Sequence, residues 1–177
     1  MVGETKAAIE RIYATSVKRI YGYCLRRLFR QDLAEDAASV VFVRLVERYR
    51  EIQHRSERET LGWLYGTASN VVAGVLRDER RALEIQQTLA RELEKKVARP
   101  SADEHPAWPA VFMAIGRLRQ RQQDMLVLRF FQGLETSEIA AALGLKHSTV
   151  RVDLSRAVKA LRQDLENACG TGTRSYS

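Results

Sequence analysis

The 177-residue sequence is poor in the residues that interrupt helices and in those that build covalent or metal frameworks. It holds three prolines and two cysteines, Cys24 and Cys169, which are too few and too far apart for a disulfide framework or a zinc site. No run of about 18 apolar residues occurs, and the first residues form no signal peptide. These absences predict a cytoplasmic protein in a reducing compartment that does not bind a membrane.

Signatures of catalysis are missing as well. The three histidines, His54, His105 and His147, lie in separate segments without a partner at metal-ligand spacing. The sequence contains no Gly-rich phosphate loop, no nucleophile elbow and no HExxH motif. We therefore predict a protein that is not an enzyme and needs neither a cofactor nor a metal ion.

The composition is that of a globular, helix-rich protein with a basic surface. Hydrophobic residues make up 45% and charged residues 29%, and Ala, Leu, Arg, Glu and Gln favour helices. The 29 Lys and Arg residues exceed the 22 Asp and Glu residues, which gives a net charge of +7. This excess indicates a polyanionic partner such as nucleic acid.

The charges and prolines divide the chain into segments. Residues 1–82 and 111–177 each carry an excess of four basic side chains, whereas the stretch between them is slightly acidic and contains all three prolines in RPSADEHPAWP. We predict an all-α protein with two small helical domains, 1–82 and 111–166. A flexible linker, 83–110, joins them, and a disordered tail, 167–177, follows.

The first block predicts three helices around one core. In each helix, apolar residues recur every three or four positions and form a stripe that faces inward. The stripe of the first helix is Ile9, Tyr13, Val17, Ile20, Cys24 and Leu28, and that of the second is Leu33, Ala37, Val41, Leu45, Tyr49 and Ile52. The stripe of the third helix is Leu61, Leu64, Ala68, Val72 and Val75 or Leu76. Asp32 stands three residues before Glu35, which predicts a capping box at the second helix. The third helix is predicted to begin near Thr60, after an exposed connection over 53–59.

The second block has the pattern of a helix-turn-helix. Two short helices are predicted first, one with Val111, Ile115 and Leu118 inward and the next with Met125, Leu128 and Phe131 or Phe130 inward, ending at Gly133. A helix of about eight residues, a turn at Gly144 and a longer helix over 147–162 follow.

The longer helix, 147–162, has an apolar and a basic side. Val150, Leu154, Val158 and Leu161 are predicted inward, and the outward or flanking residues are Ser148, Arg151, Val152, Ser155, Arg156 and Lys159. Such a face fits the major groove, where Arg bonds a guanine edge through two hydrogen bonds. The alternative is a surface helix whose charges only interact with water.

Three stretches of this sequence resemble the bacterial extracytoplasmic-function (ECF) sigma factors of the sigma-70 family. Residues 114–165, AIGRLRQRQQDMLVLRFFQGLETSEIAAALGLKHSTVRVDLSRAVKALRQDL, are similar to the promoter-reading domain of that family. Residues 17–49, VKRIYGYCLRRLFRQDLAEDAASVVFVRLVERY, resemble its polymerase-binding helices. Residues 62–81, GWLYGTASNVVAGVLRDERR, resemble its WL…A-x-N helix and the basic cluster that follows.

The resemblance implies a dissociable sigma subunit that recruits core RNA polymerase, through its beta-prime clamp, to promoter DNA. The region 2-like domain, 1–82, would bind the clamp and the opened minus-10 element, and the region 4-like domain, 111–166, would read the minus-35 element. The expected polymerase-binding residues are Asp36, Ser39, Val40, Arg44 and Arg48. The expected DNA-binding residues are Asn70, Arg77, Arg80, Arg81, Ser148, Thr149, Arg151, Val152, Ser155, Arg156 and Lys159. The segment 53–59 is expected to help bind an unstacked base. Trp63 and Tyr65 are candidates for stacking on bases, although for Trp63 a position in the core is the stronger expectation.

Five positions depart from the family pattern. Ser69 replaces the usual Arg before the Asn of the third helix. Ser39 and Val40 replace a Gln and an acidic residue that help contact polymerase. Asp153 replaces a basic residue, and we expect it to repel a phosphate or to accept a hydrogen bond from cytosine. Glu135 replaces a Ser cap, which leaves Thr136 or Ser137 to cap that helix.

Two alternative functions remain open. One is a sigma-like decoy that binds an anti-sigma factor without directing transcription, which Ser39 and Val40 favour. The other is a helix-turn-helix regulator that binds duplex DNA without polymerase. An anti-sigma factor is also a candidate partner of a working sigma factor.

Overall fold

The computed structural model describes residues 2–90 and 108–170, which are helical throughout apart from short turns and contain no strand. They form two compact units, the first built from α1 to α4 and the second mainly from α5 to α8. The helices are α1 Val2–Leu28, α2 Gln31–Glu47, α3 Tyr49–Ile52, α4 Glu57–Ala90, α5 Trp108–Arg117, α6 Gln120–Leu126, α7 Thr136–Leu143 and α8 His147–Gly170. The all-α, two-unit prediction is confirmed.

Helices extend into both ends of the predicted linker. Residues 83–90 contain neither Pro nor Gly and continue α4, and α5 begins at Trp108. Residues 91–107 of the predicted linker lie outside the described residues. The predicted tail begins too early, because α8 continues through 167–170 to Gly170 without an earlier helix breaker. Residues 171–177 lie outside the described residues.

The core of the first unit is built from α1, α2 and α4, as their apolar stripes predict. The fully buried side chains include Ile20, Tyr23, Cys24, Val41, Leu45, Leu64, Tyr65 and Val72. Tyr13 differs from the prediction: it is 49% exposed and packs edge-on against Phe42, with 4.7 Å between the ring centroids. Helix α2 ends at Glu47, and Arg48 leaves helical geometry before the short α3. The second stripe is therefore divided between two helices.

The corner between α1 and α2 has an unusual backbone. Phe29 has a φ of +54°, a left-handed conformation that is rare for a bulky residue, and its N–H donates to the carbonyl of Leu25. Arg30 forms salt bridges with Asp32 and, at 2.9 Å, with Glu79 of α4. The capping-box prediction for Asp32 is wrong, because its carboxylate pairs with Arg30; this bond lowers the pKa of Asp32 below its usual value.

Helix α4 begins three residues before the predicted Thr60. Ser56 and Glu59 form a capping box, in which the Ser56 N–H donates to Glu59 Oε2 at 2.9 Å and the Glu59 N–H donates to Ser56 Oγ at 3.3 Å. The Ser56 hydroxyl also donates to Glu59 Oε2, at 2.7 Å, and this bond, together with the one from the Ser56 N–H, lowers the pKa of Glu59. The exposed connection is therefore residues 53–56, shorter than the predicted 53–59.

The core of the second unit forms around Ile115, Leu126 and Ala157. Helix α6 continues into one π-helical turn, Val127–Phe131, which closes with the Gln132 N–H donating to the carbonyl of Val127 at 3.1 Å. The turn decides which phenylalanine is internal: Phe131 packs against the core and Phe130 is 63% exposed.

The helix-turn-helix has the predicted lengths. Helix α7 has eight residues, and Gly144, with a φ of +65°, occupies the left-handed conformation that the turn requires. Thr136 Oγ1 lies 2.7 Å from His147 Nε2, which joins the first residues of α7 and α8. Neither Thr136 nor Ser137 occupies the expected cap position, because α7 already begins at Thr136; the residue before it, Glu135, donates its N–H to the carboxylate of Glu138 at 2.7 Å.

Candidate nucleic-acid interface

The outward face of α8 is basic and polar. Its core side is set by Val150 and Ala157, which are both fully buried. The predicted residues Ser148, Arg151, Val152, Ser155, Arg156 and Lys159 are all exposed, and Thr149 is half-buried. Five of these exposed residues line one shallow depression: Ser148, Arg151, Val152, Ser155 and Arg156.

The positive charges on this face are available to a ligand. Among the described residues, Arg151, Arg156 and Lys159 form no ion pair within the protein. Three cations on one helix face can therefore interact with phosphates or base edges without first breaking an internal salt bridge.

Asp153 does not belong to this face. Its side chain is only 16% exposed, and Oδ2 accepts a hydrogen bond from Nη2 of Arg121 on α6 at 2.9 Å. Its position on the helix turns Asp153 toward α6, and not outward as a contact with a phosphate or a cytosine would require. No carboxylate therefore interrupts the cationic face of α8 between Ser148 and Lys159.

A second polar face runs along α4. Asn70, Arg77 and Arg81 are exposed at intervals of seven and four residues, so they lie along one side of the helix. Trp63 is seven residues before Asn70 on the same side of the helix and is half-buried. Arg80 is exposed beside this row.

Tyr65 cannot stack on a base, contrary to its candidacy. It is fully buried, packs edge-on against Tyr23 with 5.9 Å between centroids, and lies under the guanidinium of Arg19. Burial raises the pKa of its hydroxyl. The residue belongs to the core of the first unit.

Helix α2 presents a third face, which is apolar at its centre. The predicted residues Asp36, Ser39, Val40, Arg44 and Arg48 are all exposed. Val43 and Val46, which lie among these residues in the sequence, are 56% and 58% exposed, so three valines including Val40 are exposed on one helix. Sequence reasoning missed Val43 and Val46; the signal was an apolar residue outside the Val41 and Leu45 stripe, with Val43 on the opposite side of the helix.

Family comparisons assign both units. The model described as Sigma-70 region 2 matches residues 12–82, and the model described as Sigma-70, region 4 matches residues 110–161. The chain belongs to the sigma-70 family. The two matches stand in the family's order and include α2, the exposed row on α4 and the helix-turn-helix.

Two relatives of this sigma-70 family member are named as ECF sigma factors. The ECF RNA polymerase sigma factor BldN of Streptomyces coelicolor is 30% identical over 87% of this chain, which spans 59% of the length of BldN. The ECF RNA polymerase sigma factor SigX of Bacillus subtilis is 24% identical over 88% of this chain and 82% of SigX. The recognition as an ECF-type member is confirmed by these similarities.

A solved structure shows the same fold. The sigma factor RpoE from Bartonella quintana, crystallised with the anti-sigma factor NepR, superposes with a TM-score of 0.68 and 18% identity. The match covers 89% of this chain and 96% of RpoE.

Two further properties concern only the described part of the sigma-70 chain. No group of three or more His, Cys, Asp or Glu side chains there is arranged to hold a metal ion. No helix in the described ranges is long and apolar enough to cross a membrane.

Proposed function

We propose that this chain is an ECF sigma factor, which binds core RNA polymerase through its beta-prime clamp and directs it to specific promoters. The observation that carries the proposal is the cationic face of α8 in a helix-turn-helix, from which Asp153 is turned away. The proposed domains are 1–82 for polymerase and the minus-10 element, and 111–166 for the minus-35 element. The protein would act in the bacterial cytoplasm and have no catalytic activity of its own.

Helix α8 is the proposed reader of the duplex minus-35 element. Helices of this kind insert their N-terminal half into the major groove, where side chains reach base edges. Arg151 would bond a guanine edge, and Lys159, further along the helix, would contact a phosphate.

The exposed row on α4 is the proposed site for the opened minus-10 strand. Arg77, Arg80 and Arg81 would follow the phosphates, and Asn70 would bond the edge of an unstacked base. Trp63 is half-buried on the same side of the helix as Asn70 and would supply an aromatic ring for stacking. Residues 53–56 would form the adjacent loop.

The α2 face is the proposed polymerase-binding surface. Asp36, Ser39, Val40, Arg44 and Arg48 would lie at this contact, with Val43 and Val46 added by the structure. Apolar area removed from water contributes about 25 cal/mol per Å². The three valines can therefore supply contact energy where the family's Gln and acidic residue are replaced by Ser39 and Val40.

Transcription by the reconstituted enzyme tests this function. The full-length chain would be mixed with core polymerase of the bacterium that encodes it, and promoter-specific transcripts would be measured together with binding to core. We expect Val43→Asp to weaken core binding about tenfold or more, since an unpaired carboxylate is costly to bury. Met113→Asp is the matched control, because Met113 is similarly exposed on α5 and lies outside the three proposed faces. Absence of any core binding by the unchanged protein would reject the function.

A decoy that binds an anti-sigma factor is the second candidate. The exposed Val40 and the neighbouring Ser39, which replace polar polymerase contacts, favour it. The double substitution Ser39→Gln, Val40→Glu separates the two functions. A decoy should gain binding to core polymerase, whereas a working sigma factor should change little.

A regulator that acts without polymerase is the third candidate, and the cationic α8 face alone favours it. Such a protein would protect a specific duplex from nuclease digestion on its own. An ECF sigma factor would give the same protection only after core polymerase is added.

A further inference from the structure

Val152 occupies the centre of the exposed face of α8. At about 100° per residue, it lies about 200° around the helix from the fully buried Val150. Its side chain is 48% exposed, although valine is commonly buried. It is the sixth residue of α8, within the half of a recognition helix that reaches base edges.

The neighbours of Val152 on this face are all polar. Ser148 and Arg156 are four residues away on either side, Ser155 is three away and Arg151 is adjacent, and these residues line the same depression. Each neighbour donates hydrogen bonds, whereas Val152 can make only apolar contacts. A single exposed valine is ordinary on a protein surface, but this one is the only apolar residue among those that line the depression.

Base edges in the major groove carry one apolar group, the C5-methyl of thymine. We infer that Val152 recognises a thymine methyl in the minus-35 element and that it determines specificity at that single position. The inference rests on the proposed function, because it requires α8 to enter the groove. The inward position of Asp153 supports it, since no carboxylate on this face competes for a cytosine amino group.

The experiment removes one methyl group from the DNA and the matching groups from the protein. Full-length chain bound to core polymerase would select duplexes from a pool randomised across the upstream element. Each thymine in the selected element would then be replaced by deoxyuridine, which lacks only the methyl. Binding would be measured with the unchanged protein, with Val152→Ala and with Met113→Ala, an exposed apolar control on α5.

We expect that replacing one particular thymine weakens binding of the unchanged protein about fourfold. This factor corresponds to the loss of about 0.8 kcal/mol for one buried methyl group. The same replacement should have little effect on Val152→Ala, because the contact is already lost, and should weaken Met113→Ala as in the unchanged protein. Equal responses of the unchanged protein and Val152→Ala at every thymine, or no thymine preference in the selected element, would overturn the inference.

Failure of the proposed function has a different signature. Lys159→Ala should weaken binding to all selected duplexes if α8 lies on DNA. Should Lys159→Ala and Val152→Ala both leave upstream binding unchanged, α8 does not enter the groove and the proposed minus-35 contact is wrong. Uniform weakening by Lys159→Ala without a methyl effect rejects only the role of Val152.

Discussion

The carboxylate of Asp153 and the guanidinium of Arg121 form a salt bridge of 2.9 Å between α8 and α6. Arg121 is 54% exposed, whereas Asp153 is 16% exposed. Their contact joins α8 to α6 and keeps the acidic side chain off the cationic face of α8.

Asp153→Asn should reduce stability and leave base preference unchanged. The exposure of Arg121 to solvent limits the expected loss to about 1 kcal/mol. Urea unfolding followed by circular dichroism measures it. Asp164→Asn is the matched control with a smaller expected loss, since its pair with Arg117 is longer, 3.6 Å, and more exposed. A changed base preference without loss of stability would place Asp153 at the DNA instead.

Arg151 and Lys159 should respond differently to substitution. Arg151→Ala is expected to cost about 1–3 kcal/mol at one base position, because a bidentate contact to guanine is lost. Lys159→Ala should weaken all sequences similarly and lower the slope of log K against log salt by about 0.9. Binding of the polymerase complex to promoter variants at several salt concentrations measures both effects. If Arg151→Ala weakens every site equally, its assignment as a base reader is wrong.

Ser56→Ala should destabilise the first unit by about 1 kcal/mol through loss of the capping box at α4. Thr15→Ala is the control: the Thr15 hydroxyl bonds carbonyls within α1, where Ala favours the helix more, so stability should stay equal or rise slightly. Thermal unfolding of the two variants gives the comparison. If Ser56→Ala and Thr15→Ala were equally stable, the capping box at α4 would contribute nothing to the stability of the first unit.

Phe29 offers a test of its left-handed backbone. Phe29→Gly should be more stable than Phe29→Ala by about 1 kcal/mol, since glycine adopts a positive φ without steric cost. At the helical position Thr15 the order should reverse, with alanine more stable than glycine by about 1 kcal/mol. The midpoints of urea unfolding of Phe29→Gly, Phe29→Ala, Thr15→Gly and Thr15→Ala measure both differences in stability. The same order at both sites would rule out a left-handed Phe29 in solution.

Cys24 should make the first unit sensitive to alkali. Burial raises the pKa of its thiol to about 12 from 9.0, so the unfolded chain loses this proton at lower pH than the folded chain. The contribution of Cys24 to the free energy of unfolding is complete below pH 9. It falls as the pH rises toward 12, by at most about 1.4 kcal/mol per pH unit.

The measurement compares unfolding free energies of Cys169→Ser and Cys24→Ala, Cys169→Ser proteins across this range. Burial shifts the pKa of Tyr65 in the same direction, so the comparison isolates Cys24 from the tyrosine. The unfolding free energy of the variant without Cys24 should decline less steeply with rising pH. Parallel curves would contradict the raised pKa.

Much of the first unit follows from the spacing of its apolar residues. Ile20, Cys24, Val41, Leu45, Leu64 and Val72 were all predicted inward and all are buried. The Ser56–Glu59 capping box was also readable, as Ser followed three residues later by Glu, but the absence of apolar residues over 53–59 favoured a loop there. The site residues on α8 stay predictions, although each lies on an accessible surface except the half-buried Thr149.

Periodicity along one chain was enough to place helices, the Gly144 turn and the basic side of α8, because each depends on neighbours three or four residues apart. It did not decide which charged or aromatic residues turn inward. Asp153 pairs with a residue 32 positions away, and Tyr65 meets Tyr23 of another helix. The π turn likewise selects Phe131 over Phe130 by shifting the helix register. Contacts between distant segments form only when the helices pack, and packing assigned these residues their roles.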